Sequence, residues 1–385
     1  MKRSVYNADH EAFRATIRDF IARDVSPYYA TWLDEGTPRE LFRELGKLGV
    51  MGFGIPEEYG GPGATSYKYQ AIISEEIARA GVELGHYSVT TGIVLPYLLR
   101  LATEEQRWRW FPGIAAGDIV LCIAMTEPGT GSDLAGIRAT ARLSEDGTHY
   151  LLNGTKTFIT GARNSELCVV AARTSAADPD DRRTGLSLLV VDTGSEGYEC
   201  GRKLDKLGQH AIDTSELSFT DVRVPTANLL GEEGKGFWYL GQNLPRERLA
   251  IGVTGVATAV AAVEHTRVYT QQRTVFGQPV AAFQNTKFVL AECATEIEAA
   301  QALVDKGLEL DETGELTAAD AAKIKLFCTE VAGRVIDKCL QLHGGYGYMT
   351  EYPIARLYAD TRVTRIYGGT SEVMKSIISK SLGLS

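Results

Sequence analysis

Cysteine and histidine are too few and too scattered in this chain to build a metal centre. The six cysteines, Cys122, Cys168, Cys200, Cys293, Cys328 and Cys339, include no CxxC pair, and the six histidines include no HxxxH or HExxH pair. That spacing suits buried free thiols rather than disulfides or zinc, so metal catalysis is not expected. An excess of basic residues is missing as well. The net charge is -9, which disfavours nucleic acid as a general partner, because phosphate backbones are held mainly by basic surfaces. An anionic ligand would need a local basic pocket. No apolar run looks long enough to span a bilayer, and Met1-Lys2-Arg3-Ser4 is a basic start with no apolar core behind it. Neither a membrane span nor a secretory signal is expected, and the chain reads as cytoplasmic.

What is present is 385 residues of ordinary globular composition, enough for two or three cores. From about Asp9 to Leu121 the texture is helical: Phe13, Ile17, Phe20, Ile21 and Val25 recur on one face of an amphipathic helix. Ile55 to Gly63 crowds turn formers into a loop, and Leu95 to Leu101 resumes a helix. Between about Ile123 and Gly231 short β-rich runs take over, at Thr148 to Thr160, Leu167 to Ala172, Leu186 to Asp192 and Thr214 to Phe219. Asp146-Gly147 suits a tight hairpin, since both residues tolerate positive φ. No helix of useful length separates these strands, which disfavours a doubly wound parallel sheet. From Gly234 onward the chain is helical again. The spacing predicts helices over Pro245 to Gln272, Gln284 to Leu308, Ala318 to His343 and Ser371 to Leu382, the first apolar all round and starting on proline.

The fold class is therefore α+β: an N-terminal helical domain (1–122), a central antiparallel β-barrel or sandwich domain (123–233) and a C-terminal four-helix bundle (234–385).

Two stretches carry chemistry. Ala124-Met125-Thr126-Glu127-Pro128-Gly129-Thr130-Gly131-Ser132-Asp133-Leu134-Ala135-Gly136 leaves a strand and fills with glycines, hydroxyls and backbone donors. Such a loop can approach a flat cofactor closely, but it does not fit GxGxxG, and on spacing alone a polar connecting loop explains it equally well. The second is Arg365-Ile366-Tyr367-Gly368-Gly369-Thr370-Ser371-Glu372. It resembles the signature of the acyl-CoA dehydrogenases, many of which carry glutamate at the position of Gly368. Asn243-Leu244-Pro245-Arg246-Glu247-Arg248-Leu249-Ala250-Ile251 resembles the alternative placement of that carboxylate in the long-chain and isovaleryl-type members. The likeness runs from about residue 10 to the C-terminus.

The resemblance implies an FAD enzyme that removes a proton from Cα and a hydride from Cβ of an acyl-CoA thioester, with Glu247 as the base and the Gly368 N–H as a donor to the thioester oxygen. It implies flavin contacts along Ile123, Met125, Thr126, Gly131 and Ser132, with Phe158 and Thr160 flanking the ring. Arg273, Phe276, Gln284, Gln341, Gly344 and Gly345 would reach a neighbouring subunit's FAD, and Thr370 and Glu372 would begin a helix whose amides face the pyrophosphate. Ser132, Trp238, Arg248 and Gly369 would lie at the substrate, Trp238 standing where long-chain members have tyrosine. Arg248 is expected to fix local geometry by ion pairing. A homotetramer and an electron-transferring flavoprotein as acceptor complete the implied partners. The residues by themselves also allow plainer roles. Glu247 could be an exposed glutamate favouring a helix dipole, Phe158 a core aromatic and Arg273 a solvated surface charge. Two alternatives for the whole chain stand beside the first: a desaturase of acyl chains on a carrier protein, and a flavin-binding assembly or scaffold protein.

Overall fold

The computed structural model describes residues 3–384, so Met1 and Lys2 of the basic start lie outside it. Six helices form the first third: α1 (Ala8–Phe20), α2 (Tyr29–Glu35), α3 (Glu40–Lys47), α4 (Lys68–Ala80), α5 (Leu95–Leu101) and α6 (Glu104–Ala116). Their ends follow side-chain capping. Asn7 accepts from the His10 N–H at 3.0 Å and Thr103 from the Gln106 N–H at 3.3 Å, each answered by the third residue's side chain reaching back. Beyond Phe20 the first helix widens into a π turn over Ile21–Val25, and Ile17, Phe20, Ile21 and Val25 are all buried as their spacing requires.

Eight strands follow: β1 (Leu121–Ala124), β2 (Thr140–Leu143), β3 (His149–Thr160), β4 (Leu167–Arg173), β5 (Leu186–Asp192), β6 (Tyr198–Lys203), β7 (Thr214–Pro225) and β8 (Leu229–Leu230). The sheet order is β6-β7-β3-β2-β4-β5-β8, with β1 added beside β4. The α+β class holds, but two details of the expected barrel or sandwich are corrected. β1 and β2 both run parallel to β4, so the sheet is mixed, and its free ends at β6 and β8 leave it unclosed. The parallel pairing arises because the glycine loop and the β2–β3 hairpin intervene between β1 and β4, giving the chain length to return in the same direction.

The last part holds α7 (Gly236–Gln272), a two-strand hairpin of β9 (Thr274–Val275) and β10 (Gln278–Pro279), then α8 (Gln284–Glu312), α9 (Ala318–Leu342), α10 (Pro353–Thr361) and α11 (Ser371–Ser381). Here α7 begins before Pro245 rather than on it. Proline removes one N–H and crowds one carbonyl, that of Gly241, and the packing of the flanking turns outweighs this local loss. The short helix α10, led by Pro353, is a fifth helix the spacing did not suggest. Contrary to the expectation from apolar runs, α7 contains an 18-residue window of mean hydropathy 1.4, long and apolar enough by length and composition to cross a membrane. Most of that window is buried, 61%, against α8 and α9. Gly252 and Gly255 permit the close approach: a Cβ on Gly252 would fall 2.6 Å from Ile324 Cγ2.

Candidate functional site

Asn243, Glu247 and Ile251 lie four residues apart on α7 and so share one face. Glu247 is only 4% exposed. Its Oε1 accepts from the hydroxyl of Tyr97 on α5 at 3.1 Å and from Asn243 Nδ2 at 3.2 Å, while Asn243 Nδ2 also donates to the Ile93 carbonyl at 3.0 Å. Burial pushes the Glu247 carboxyl up to about 7, against the pull of these two donors and of the Arg248 charge. The exposed-glutamate alternative does not survive this burial. The expected ion pair with Arg248 is not formed among the described residues, because consecutive side chains on a helix point in different directions. Arg248 Nε instead donates to the Gly368 carbonyl at 3.4 Å.

Gly368 and Gly369 sit at φ +63° and +97°, a backbone shape that favours glycine, between a 3₁₀ turn (Arg362–Arg365) and α11. Lys325, a buried lysine of α9, donates from Nζ to the Gly369 carbonyl at 2.5 Å. Burial, and then the nearby Arg248 charge, bring Lys325 down to about 8. Thr370 caps α11 by accepting from the Val373 N–H at 3.3 Å, and Glu372 is exposed in its first turn. Tyr97, Asn243 and Lys325 are the residues that sequence reasoning missed around this wall.

The glycine loop is anchored from below. Lys156 on β3 is buried and donates from Nζ to Glu127 Oε1 at 2.9 Å and to the Met125 carbonyl at 3.0 Å. Glu127 also accepts from the Arg138 and Ala139 N–H groups, at 2.8 and 2.9 Å. Burial alone would raise its carboxyl, but Lys156 and these amides hold it below its usual range. The Thr157 N–H donates to the Thr126 carbonyl at 2.9 Å, tying the loop to the bulge in β3 that carries Phe158. Phe158 has φ +59° and is 67% exposed, so it is no core aromatic. A bulky residue held in the left-handed region marks a constrained, presented side chain. Ile123, Met125, Thr126 and Thr160 are half-buried, while Gly131 and Ser132 are exposed. A Cβ on Gly129 or Gly131 would meet nothing within 4 Å, so the outer face of the loop is open.

A second group lies elsewhere. Arg273, the C-cap of α7, stands 26 positions beyond Glu247, about 39 Å at a rise of about 1.5 Å per residue. Arg273, Tyr269, Leu342, His343, Gly344 and Gly345 line one cavity, with the guanidinium of Arg273 over the Tyr346 ring at 5.4 Å. Phe276 and Gly277, at φ +50° and +79°, make the two-residue turn of the β9–β10 hairpin, and Phe276 at its tip is 96% exposed. Gln284 and Gln341 are exposed on α8 and α9. The chain thus brings together Glu247, Arg248, Gly368 and Gly369 at one place and Arg273, Gly344 and Gly345 at another. Trp238 belongs to neither: it lies exposed in the first turn of α7, against Tyr239. A further cavity between α6 and the sheet, lined by Arg109, Asp192 and Arg223 among others, contains none of the expected residues.

Comparison with known proteins covers nearly the whole chain. Residues 7–118 match the acyl-CoA dehydrogenase N-terminal domain, 122–222 the middle domain and 234–383 the C-terminal domain. The mitochondrial long-chain specific acyl-CoA dehydrogenase of Sus scrofa is 43% identical over 381 residues, 99% of this chain and 88% of the relative. Among solved structures, an acyl-CoA dehydrogenase from Geobacillus kaustophilus superimposes with a TM-score of 0.95 at 42% identity, covering 99% of this chain and 100% of the other. An acyl-CoA dehydrogenase complexed with FAD, from Bacillus anthracis, gives 0.91 at 32% identity, covering 98% of this chain and 68% of the other.

Proposed function

The chain belongs to the acyl-CoA dehydrogenase family, flavoprotein oxidoreductases acting on CH–CH bonds, and we propose that Glu247 is the base with which it desaturates an acyl-CoA thioester. The observation that carries this is the placement of Glu247: a buried carboxylate without a salt-bridge partner among the described residues, on the helix wall whose next residue touches Gly368. Burial keeps its basicity near neutral pH, where a general base works best.

The α-proton of a thioester is weakly acidic, so its removal requires donors aimed at the oxygen where charge develops. The Gly368 N–H is assigned that task, with Arg248 and Lys325 holding the two glycine carbonyls behind it. The remaining residues fit FAD: an open loop face at Gly129, Gly131 and Ser132, a presented Phe158, and Thr160 beside it. When bound, FAD supplies the hydride acceptor. Phe158 and Thr160 would flank its ring, and Thr126 would approach it from the loop. Because Arg273, Phe276, Gly344 and Gly345 lie beyond the end of α7 remote from Glu247, in the hairpin and in the turn after α9, we assign them to a neighbouring copy's cofactor, and family likeness makes a homotetramer the proposed working form. An electron-transferring flavoprotein is the proposed acceptor, from family likeness.

Anaerobic bleaching of the bound flavin by saturated acyl-CoAs, straight and branched, from short to long, tests this function. Reduction by one group defines the acyl pocket. Flavin that stays oxidised with the whole panel would instead favour a thioester on a carrier protein, or an assembly role.

A further inference from the structure

We propose that Tyr97 and Asn243 divide the labour of the two Glu247 oxygens, holding Oε1 as an ionised acceptor and leaving Oε2 to take the substrate's α-proton. This rests on Glu247 being the base. The geometry is specific. Both donors converge on Oε1, at 3.1 and 3.2 Å, and no donor among the described residues reaches Oε2. Tyr97 is fully buried, and its hydroxyl spends its proton on this carboxylate. The Asn243 amide cannot be turned around, because its nitrogen faces two acceptors, the Ile93 carbonyl and Glu247.

Such an arrangement favours the carboxylate over the acid and fixes which lone pairs face the substrate. The charged and titratable groups around Glu247 are few: Tyr97 and, behind it, Arg100 from α5, Arg248 from α7, and Lys325 from α9 acting through Arg248. In the step itself the Cα–H bond breaks, the proton passes to Oε2, and the electron pair stays on the substrate as an enolate whose charge rests on the thioester oxygen. Tyr97 and Asn243 touch no reacting atom and are positioning residues. Their hydrogen bonds offset part of the burial that raises Glu247, so removing either should raise its pKa further.

The test uses the FAD-loaded enzyme and an acyl-CoA with sulfur in place of Cβ, which has α-protons but no β-hydride. Exchange of those α-protons for deuterium, followed by mass spectrometry across pH, reports Glu247 without flavin reduction. In Tyr97→Phe the acid limb should move up by about one pH unit, so that exchange falls roughly tenfold at pH 6 while remaining near the parent rate above pH 9. Asn243→Leu should shift it in the same direction and carries the test if the phenylalanine variant does not fold. An acid limb unmoved in the folded variants overturns the inference. Rapid exchange in Glu247→Gln would overturn the base assignment instead, so the two failures are distinguishable.

Discussion

Ile251 occupies the space that a side chain at position 368 would need. A Cβ built on Gly368 falls 2.5 Å from Ile251 Cδ1, far inside any real contact, and the backbone there is left-handed at φ +63°. Ile251 stands one turn beyond Glu247 on the same face of α7, so the helix that supplies the carboxylate also sets the tip of a side chain where one at position 368 would begin.

Moving the base should therefore be helped by relief of that contact. Gly368→Glu in a Glu247→Gln background is expected to be destabilised by roughly 2–4 kcal/mol, from overpacking and left-handed strain, and to leave the flavin unreduced by substrate. Adding Ile251→Ala should recover part of the stability and some reduction. Equal melting temperatures for the variants with and without Ile251→Ala would contradict this steric account.

Glu247 should impose a pH dependence on both rate and stability. Reduction of the flavin by substrate needs the carboxylate, so its rate should fall as pH drops through about 7. For stability the sign is opposite: the folded protein holds the Glu247 proton more tightly than the unfolded chain, so its contribution is present at low pH and lost as pH rises through about 7. Glu247→Gln removes this loss, which is about 3 kcal/mol at 1.36 kcal/mol per unit. Denaturant titrations should show the glutamine variant gaining on the parent at pH 8.5 and not at pH 4.

The same substitution isolates the chemistry. Glu247→Gln keeps volume and hydrogen-bonding shape, so flavin content should be unchanged while the rate of reduction by substrate drops by about 10²–10⁴-fold. Stopped-flow absorbance under anaerobic conditions measures it directly.

Lys156 and Glu127 should matter more than any surface pair. Their contact is buried, and cutting it by Lys156→Met leaves the Glu127 carboxylate with two amide donors but no cation beneath the glycine loop, at a cost of about 3–5 kcal/mol. Loss of FAD on dialysis is the expected accompaniment, since the same lysine holds the Met125 carbonyl. A variant that keeps its flavin and its melting temperature would show the loop to be anchored otherwise.

The hairpin tip tests the assignment of Arg273 and Phe276 to a neighbouring copy. Asparagine tolerates the left-handed backbone of position 276, so Phe276→Asn should preserve the turn while deleting the exposed ring. Light scattering should then report a smaller assembly, with less flavin per chain. Unchanged mass and flavin content would remove Phe276 from the interface.

Local pattern made much of this protein legible from its sequence. Apolar periodicity marked α1, short β-rich runs marked β3 to β5, Asp146-Gly147 marked the β2–β3 hairpin, and the stretches around Glu247 and Gly368 showed, through their resemblance to a known family, where a carboxylate is present and where it is lacking. These features are written in neighbouring residues, which share one helix face or one strand. The start of α7 was less legible, because burial of the whole helix overrides what Pro245 signals by itself.

Only the tertiary structure decided what surrounds the site. Tyr97 meets Glu247 across 150 positions of sequence, Lys325 reaches Gly369 from another helix, and Lys156 pins a loop that precedes it. The direction in which β1 returns to β4 and the left-handed bulge at Phe158 likewise depend on strands that are distant in the chain. A residue's type and spacing fix what it is able to donate, accept or bury. Which partner it finds, and how far from water it finds it, is set by the packing of segments that carry no sequence record of one another.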